Sequence, residues 1–325
     1  MLLSAPAGPS GPPSPSGPPA PPGPAERVLP LGRPGRWIAA LAVLVLASQA
    51  GHGLLTNPFY QWDRFAYWFF RPVILEGLLI TLQVAAYSAV LGLAGGVLLA
   101  LGRLSGSPVL RSASWAYIWL FRSVPLIVVL LFLYNLSALY PTLSIGVPFG
   151  PAFLTFDESR LATDIVVAVV GLSLSEAAYA AEIVRAGVLS VDQGQHEAAA
   201  ALGLPKRYQF ARIVFPQALR SIVPSYVNQL IGLLKATSLV FYVSLLDLFG
   251  SVQSLASTYP GDVVPLLLVA TVWYVILTSL VSVVQFYIER YYARGALRTL
   301  PPTPVQRARA GLRDVRTRLR TETAR

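Results

Sequence analysis

Six long apolar runs set the rhythm of the chain: 37–55, 77–101, 112–139, 161–184, 224–248 and 263–288. At 1.5 Å rise per residue, about 20 residues cross the hydrocarbon core of a bilayer, so each run is long enough for one helical span. The runs at 77–101 and 263–288 carry no charge. The third is interrupted only by Arg122; the fourth carries Asp164, Glu176 and Glu182; the fifth carries Lys235 and Asp247. The pattern predicts an all-α polytopic membrane protein. With the N-terminus inside and six crossings, 20 of the 25 basic residues fall on the inner side, three outside, and Arg122 and Lys235 within spans. This asymmetry places both termini on the cytoplasmic face.

Between and around the runs the chain divides further. Residues 1–36 open with ten prolines in the first 25 positions, a composition that cannot bury apolar surface, and predict a disordered cytoplasmic tail. Residues 37–55 form an extra N-terminal span. Arg36, the apolar stretch 38–47 and the small Ser48 and Ala50 also fit a signal peptide cleaved after Ala50. Residues 56–76 hold Tyr60, Trp62, Phe65, Tyr67, Trp68, Phe69 and Phe70 among Asp63, Arg64 and Arg71, as expected of an external interfacial segment. The core occupies 77–292, and 293–325 is a basic cytoplasmic tail.

The polar stretch 191–224 is the most informative loop. Gly194–Leu202 reads as a short helix, stopped by Gly203 in the left-handed conformation. Pro205 suits the start of a second short helix, Lys206–Val214, which Pro216 is expected to break before Pro224 opens the fifth span. The outcome is a helix–turn–helix across the inner surface, rimmed by Lys206, Arg207 and Arg212.

Within this loop Glu197, Ala198, Ala199, then Gly203, then Ile213, Val214, Phe215 and Pro216 resemble the EAA loop of ABC importer permeases, with Phe215 where the family has Leu. Gly77–Leu82, Arg122–Leu126, Ala178–Arg185, Gly194–Gln195 and Pro216–Arg220 are similar to segments of the polar amino-acid branch, the histidine, glutamine and glutamate permeases. Lys235–Leu239 looks like that branch's K-D-T-S-L, with Ala236 replacing the acid. The resemblance covers roughly residues 75–292. It implies a five-helix permease core in the bacterial cytoplasmic membrane and import of a polar or charged amino acid. It also implies that Glu197, Ala198, Ala199, Gly203, Ile213, Phe215 and Pro216 couple to separate ATP-binding subunits, with a second permease subunit, identical or related, and an extracytoplasmic substrate-binding protein as further partners. ATP and Mg would be used by the partner ATPase. This chain has no G-x-x-x-x-G-K-[ST] phosphate loop and is expected to be a transport subunit, not an enzyme, with no cofactor of its own.

Ionisable groups inside a membrane are costly and mark function or pairing. Glu176, Glu182, Arg122, Asn228, Gln229, Lys235 and Ser238 are therefore candidates for either the translocation path or structural polar contacts. Glu182 and Arg185 are spaced for a salt bridge on one helix. Glu176 is expected either to meet cargo or to pair with Lys235 or Arg122. The chain has no cysteine and two distant histidines, which argues against a thiol nucleophile or a His/Cys metal centre. A permease for another small polar solute, a secondary transporter independent of an ATPase, and a membrane enzyme are the alternatives; no inverted repeat or catalytic carboxylate pair supports the last two.

Overall fold

Small residues at alternating three- and four-residue spacing decide how the core is assembled. The structure, a computed structural model, describes residues 34–136, 142–146, 152–157 and 164–292. The two terminal tails proposed from sequence lie outside these residues, apart from Pro34–Arg36. The chain forms two units, up to Asn57 and from Pro58 onward. The first contributes α1, Pro34–Thr56, a helix long and apolar enough to cross a membrane.

The second unit begins with the short α2, Trp62–Phe69, followed by the long α3, Pro72–Leu104. The buried stripe of α3 reads Ile74, Gly77, Thr81, Val84, Ser88, Gly92, Gly96 and Ala100. In a helix that is apolar all round, this stripe is marked by smallness rather than hydrophobicity, the usual signature of packing in a membrane. It lies along α6, Asp164–Leu189, the most deeply buried span. Contact order shows that the two run parallel: Gly92 faces Glu176, and Gly96 faces Ala180 and Ala181. A Cβ at Gly96 would stand 2.5 Å from the Ala180 Cβ and 2.9 Å from the Ala181 backbone nitrogen.

Between these two helices lie α4, Pro108–Ser123, and α5, Leu126–Tyr134. The sequence suggests one span here, but the axis turns by 99° at the break. Pro125 is the cause: the residue before a proline is pushed out of the helical region, and Val124 is extended, with φ −85° and ψ 130°. A small antiparallel hairpin follows, β1 (Thr142–Gly146) with β2 (Ala152–Asp157), which the apolar pattern does not foretell.

After α6 come α7, Gln193–Ala201, and α8, Lys206–Gln209. From Lys206 the helix does not stop at Pro216, nor does a span begin at Pro224. It continues through a π turn, Phe210–Val214, into α9, Phe215–Ala236, with Pro224 inside it. The Phe215 N–H bonds the Phe210 carbonyl, so the wider turn is closed just before the proline that lacks a donor. The helix tightens over Thr237–Val243 and ends at Ser244, in the left-handed region at φ 64°. The chain bends by 46° into α10, Leu248–Thr258, and returns through α11, Val263–Tyr292.

Two buried carboxylates organise this last part. Asp247 caps α10, accepting from the Gly250 N–H at 2.9 Å, and also accepts from the hydroxyls of Thr81 and Tyr274. It thereby ties α3, α10 and α11 together. Asp262 accepts from the Trp68 indole at 2.8 Å and pairs with Arg64 at 2.8 Å. The interfacial segment is thus fastened to the α10–α11 turn. Phe69 stacks on Trp273 with centroids 4.9 Å apart, while Phe59 and Phe70 stay exposed.

Candidate functional site: a capped elbow and a polar midsection

The loop singled out by sequence is a rigid elbow. Asp192 caps α7 by accepting from the Gly194 N–H at 2.7 Å. The helix closes with Gly203 at φ +67°, its N–H bonding the Ala200 carbonyl and that of Leu204 bonding Ala199. An L side chain in that region costs about 1–2 kcal/mol. The Gln209 amide donates to the Leu204 carbonyl at 2.7 Å, joining the second limb to the corner. Entry and exit are pinned by one apolar cluster in which Val191 and Val214 are buried with Ala218 and Ile222, against Ile183, Val184 and Val188.

The elbow's surface differs in detail from its sequence reading. Ala199 is buried, whereas Glu197, Ala198, Gly203 and Pro216 are exposed and Ile213 is half-buried. Leu202 is 77% exposed, and Tyr208, Phe210 and Phe215 are exposed too, the last two with ring centroids 6.0 Å apart. Sequence reasoning missed Leu202, Tyr208 and Phe210. The available signal was large apolar side chains in a segment too polar to be a span.

The structure brings together only some of the intramembrane polar residues. Glu176, 3% exposed, faces α9, where the Gln229 amide donates to its Oε2 at 3.1 Å. Its Oε1 is buried and has no hydrogen-bond partner among the described residues. The expected ion pairs with Lys235 or Arg122 are therefore not present. Lys235 lies six residues beyond Gln229, a rotation of about 240° at 100° per residue, so it points to another face. There it is exposed and lines a cavity of about 420 Å³ with Ser238, Thr271, Tyr274 and Thr278. Asn228 is also exposed. The Ser238 hydroxyl donates to the Lys235 carbonyl at 2.9 Å. Arg122 sits over the Tyr179 ring at 5.4 Å. Glu182 and Arg185 form a salt bridge at 2.8 Å. No cluster of metal-ligating side chains occurs among the described residues.

The midsection is held by hydrogen bonds to backbone carbonyls. Tyr226 donates to Ala89 at 2.6 Å, joining α9 to α3, and Tyr117 donates to Leu174 at 2.9 Å, joining α4 to α6. Glu176 therefore sits between three fixed helices.

A multi-pass helical bundle with a rigid, exposed elbow and a buried polar midsection defines a membrane transport subunit. The chain belongs to the binding-protein-dependent transport system inner membrane components, whose family model matches residues 92–294. It is 39% identical to an arginine transport system permease protein of Corynebacterium glutamicum, ArgU, over 83% of this chain and 84% of that one. It is 35% identical to the glutamate/aspartate import permease protein GltK of Escherichia coli, over 67% of this chain and 93% of that one. Among solved structures, an amino acid ABC transporter crystallised with histidines superposes with a TM-score of 0.58 at 27% identity, covering 68% of this chain and 94% of that one. The chain is accordingly a permease subunit of an ABC importer in the inner membrane, and ATP hydrolysis belongs to a separate partner.

Proposed function

We propose that this permease carries a polar amino acid, cationic by preference, into the cell, and that the elbow Glu197–Pro216 receives the movement of the ATP-binding subunits. The observation that carries the coupling role is the elbow itself: four exposed large apolar side chains, Leu202, Tyr208, Phe210 and Phe215, on a corner fixed by an N-cap, a left-handed glycine and a buried valine pair. Such a patch on a rigid base is built to be covered by protein. Its continuation into α9 leads directly to Gln229 and the carboxylate it holds.

The cargo assignment is supported by the relatives, several of which are named as arginine or acidic amino-acid permeases, and by Glu176. One oxygen of that carboxylate is uncommitted, and a cationic side chain would satisfy it. Lys235 and Asn228 are exposed on this chain, and a lysine within a span requires water or protein around it. A second permease subunit across a shared pathway would supply both. An external binding protein would deliver the amino acid. Both termini would be cytoplasmic, in keeping with the distribution of basic residues.

Reconstitution with the ATP-binding subunits and the binding protein, reading amino-acid-stimulated ATP turnover, tests this function. Arginine is expected to stimulate, and Gly203→Val is expected to lower stimulated turnover by about tenfold, the effect of roughly 1.4 kcal/mol of misplaced corner. Turnover that ignores every amino acid would refute the cargo, and a fully coupled Gly203→Val variant would refute the elbow.

A further inference from the structure

Between the C-terminal parts of α3, α4 and α6 a cavity of about 490 Å³ opens, lined by Arg103, Trp115, Trp119, Arg122, Tyr179 and Glu182. It shares no residue with the Glu176–Gln229 contact. Its charge is unbalanced. Glu182 is engaged by Arg185 and also lies in the field of Arg122 and Arg103, so three guanidinium groups surround one carboxylate. The Nε of Arg103 is buried and has no hydrogen-bond partner among the described residues. An anion entering the cavity would offset this excess of positive charge. Arg122 is exposed, lies over the Tyr179 ring and lines the cavity. At the rim, Trp115 and Trp119 lie one helical turn apart, stacked with centroids 6.2 Å apart and planes at 15°, and both are exposed. Exposed indoles on a membrane helix sit where headgroups meet acyl chains.

We propose that this cavity binds the phosphodiester headgroup of an acidic phospholipid, with Arg103 and Arg122 as its donors and the stacked indoles against its glycerol and upper acyl chain. Basic pockets between transmembrane helices are suited to such headgroups. The exposed indole pair favours a lipid over a soluble anion, since it gives an apolar wall that a free phosphate or a cargo carboxylate would leave bare. The leaflet follows from the orientation proposed above; the binding itself does not depend on it.

The test uses the purified full-length chain in mild detergent, stripped of lipid and titrated with phosphatidylglycerol or phosphatidylcholine, with bound lipid counted by native mass spectrometry. One phosphatidylglycerol per chain is expected at affinity well above phosphatidylcholine. Arg122→Gln, at an exposed position that leaves the packing intact, is expected to lose about tenfold in that preference, the effect of one charge-assisted hydrogen bond. Arg103→Gln is an independent second variant with the same expected loss. Arg111 bonds the Ser105 carbonyl and does not line the cavity, so Arg111→Gln is expected to bind as the parent does. Equal retention of the two lipids, or unchanged preference in both cavity variants, would overturn the proposal. Displacement of the lipid by millimolar inorganic phosphate or glutamate would overturn it in favour of a soluble anion, and displacement by arginine would overturn it in favour of cargo.

Discussion

Glu176 is a carboxylate with one oxygen held by Gln229 and the other buried without a partner among the described residues. Glu176→Gln keeps an acceptor for Gln229 and nearly the same volume while removing the charge. Assembly and thermal stability are therefore expected to change by under about 1 kcal/mol, as for other near-isosteric changes. Uptake of arginine is expected to fall at least tenfold, with a smaller effect on a neutral amino acid. Measuring uptake of both in proteoliposomes separates the roles: equal loss for the two would mark the residue as structural. The residue was visible in the sequence as an acid deep in an apolar run, but its partner was not. Lys235 and Arg122 were the obvious counter-charges, yet helical rotation puts Lys235 on another face, and Arg122 lies against Tyr179. Polarity and depth can be read along a chain; azimuth on a bundle cannot until the packing is known.

At the level of elements, the α3–α6 contact has the least freedom. At Gly96 a methyl group would meet the backbone of α6 as well as the Ala180 side chain, and backbone cannot step aside. Gly96→Ala is expected to cost about 1–3 kcal/mol through overpacking, seen as a lowered melting temperature of the detergent-solubilised chain. An unchanged melting temperature would mean that the helices separate freely. The fastening of α2 gives a second case. Asp262→Ala strips the buried Trp68 indole of its acceptor and Arg64 of its counter-ion, so α2 is expected to become a site of rapid proteolysis from outside while α3 to α11 stay resistant. The long helices were legible in the sequence because a membrane span must be long and apolar; the small-residue stripe of α3 emerged only from its packing on α6. The break at Pro125 was overlooked inside one apolar run, although a proline excludes its predecessor from the helix. Pro216 and Pro224 carried the same signal and misled, because a π turn and neighbouring helices let one continuous helix pass through both. The anchor at Asp262 was hidden because its partners lie about 200 residues away in sequence.

For the whole molecule, direction across the bilayer is the property on which the proposed coupling turns, and the composition makes it simple to measure. The chain has no cysteine, so a single Lys206→Cys variant carries one unique label site. A membrane-impermeant maleimide is expected to react with it only in inverted vesicles, which expose the cytoplasmic face. Reaction from the outside would reverse the orientation and remove the elbow from any ATP-driven partner. The separation of the elbow from the polar midsection also fits a subunit in which force arrives at one place and cargo is met at another. Neither conformation of such a subunit can be strongly preferred, because differential binding of ATP must switch it.

The uninterrupted helix from Lys206 to Ala236 turns the elbow into the foot of a lever. Thirty-one residues at 1.5 Å each give a rod about 46 Å long, and Gln229 rides near its far end. The π turn near the foot is one residue of slack wound into that rod. Excising Ala211 would only return the π turn to α-helix, whereas an alanine inserted between Gln217 and Ala218, where no slack absorbs it, would swing the foot by about 100° relative to the shaft. The spans would still insert, but Leu202 and its neighbours would face the wrong way, and the ATP-binding subunits are expected to fall away on size-exclusion chromatography. On the coupling role proposed above, the register of this rod would set the direction in which a push from the motor reaches the carboxylate in the membrane.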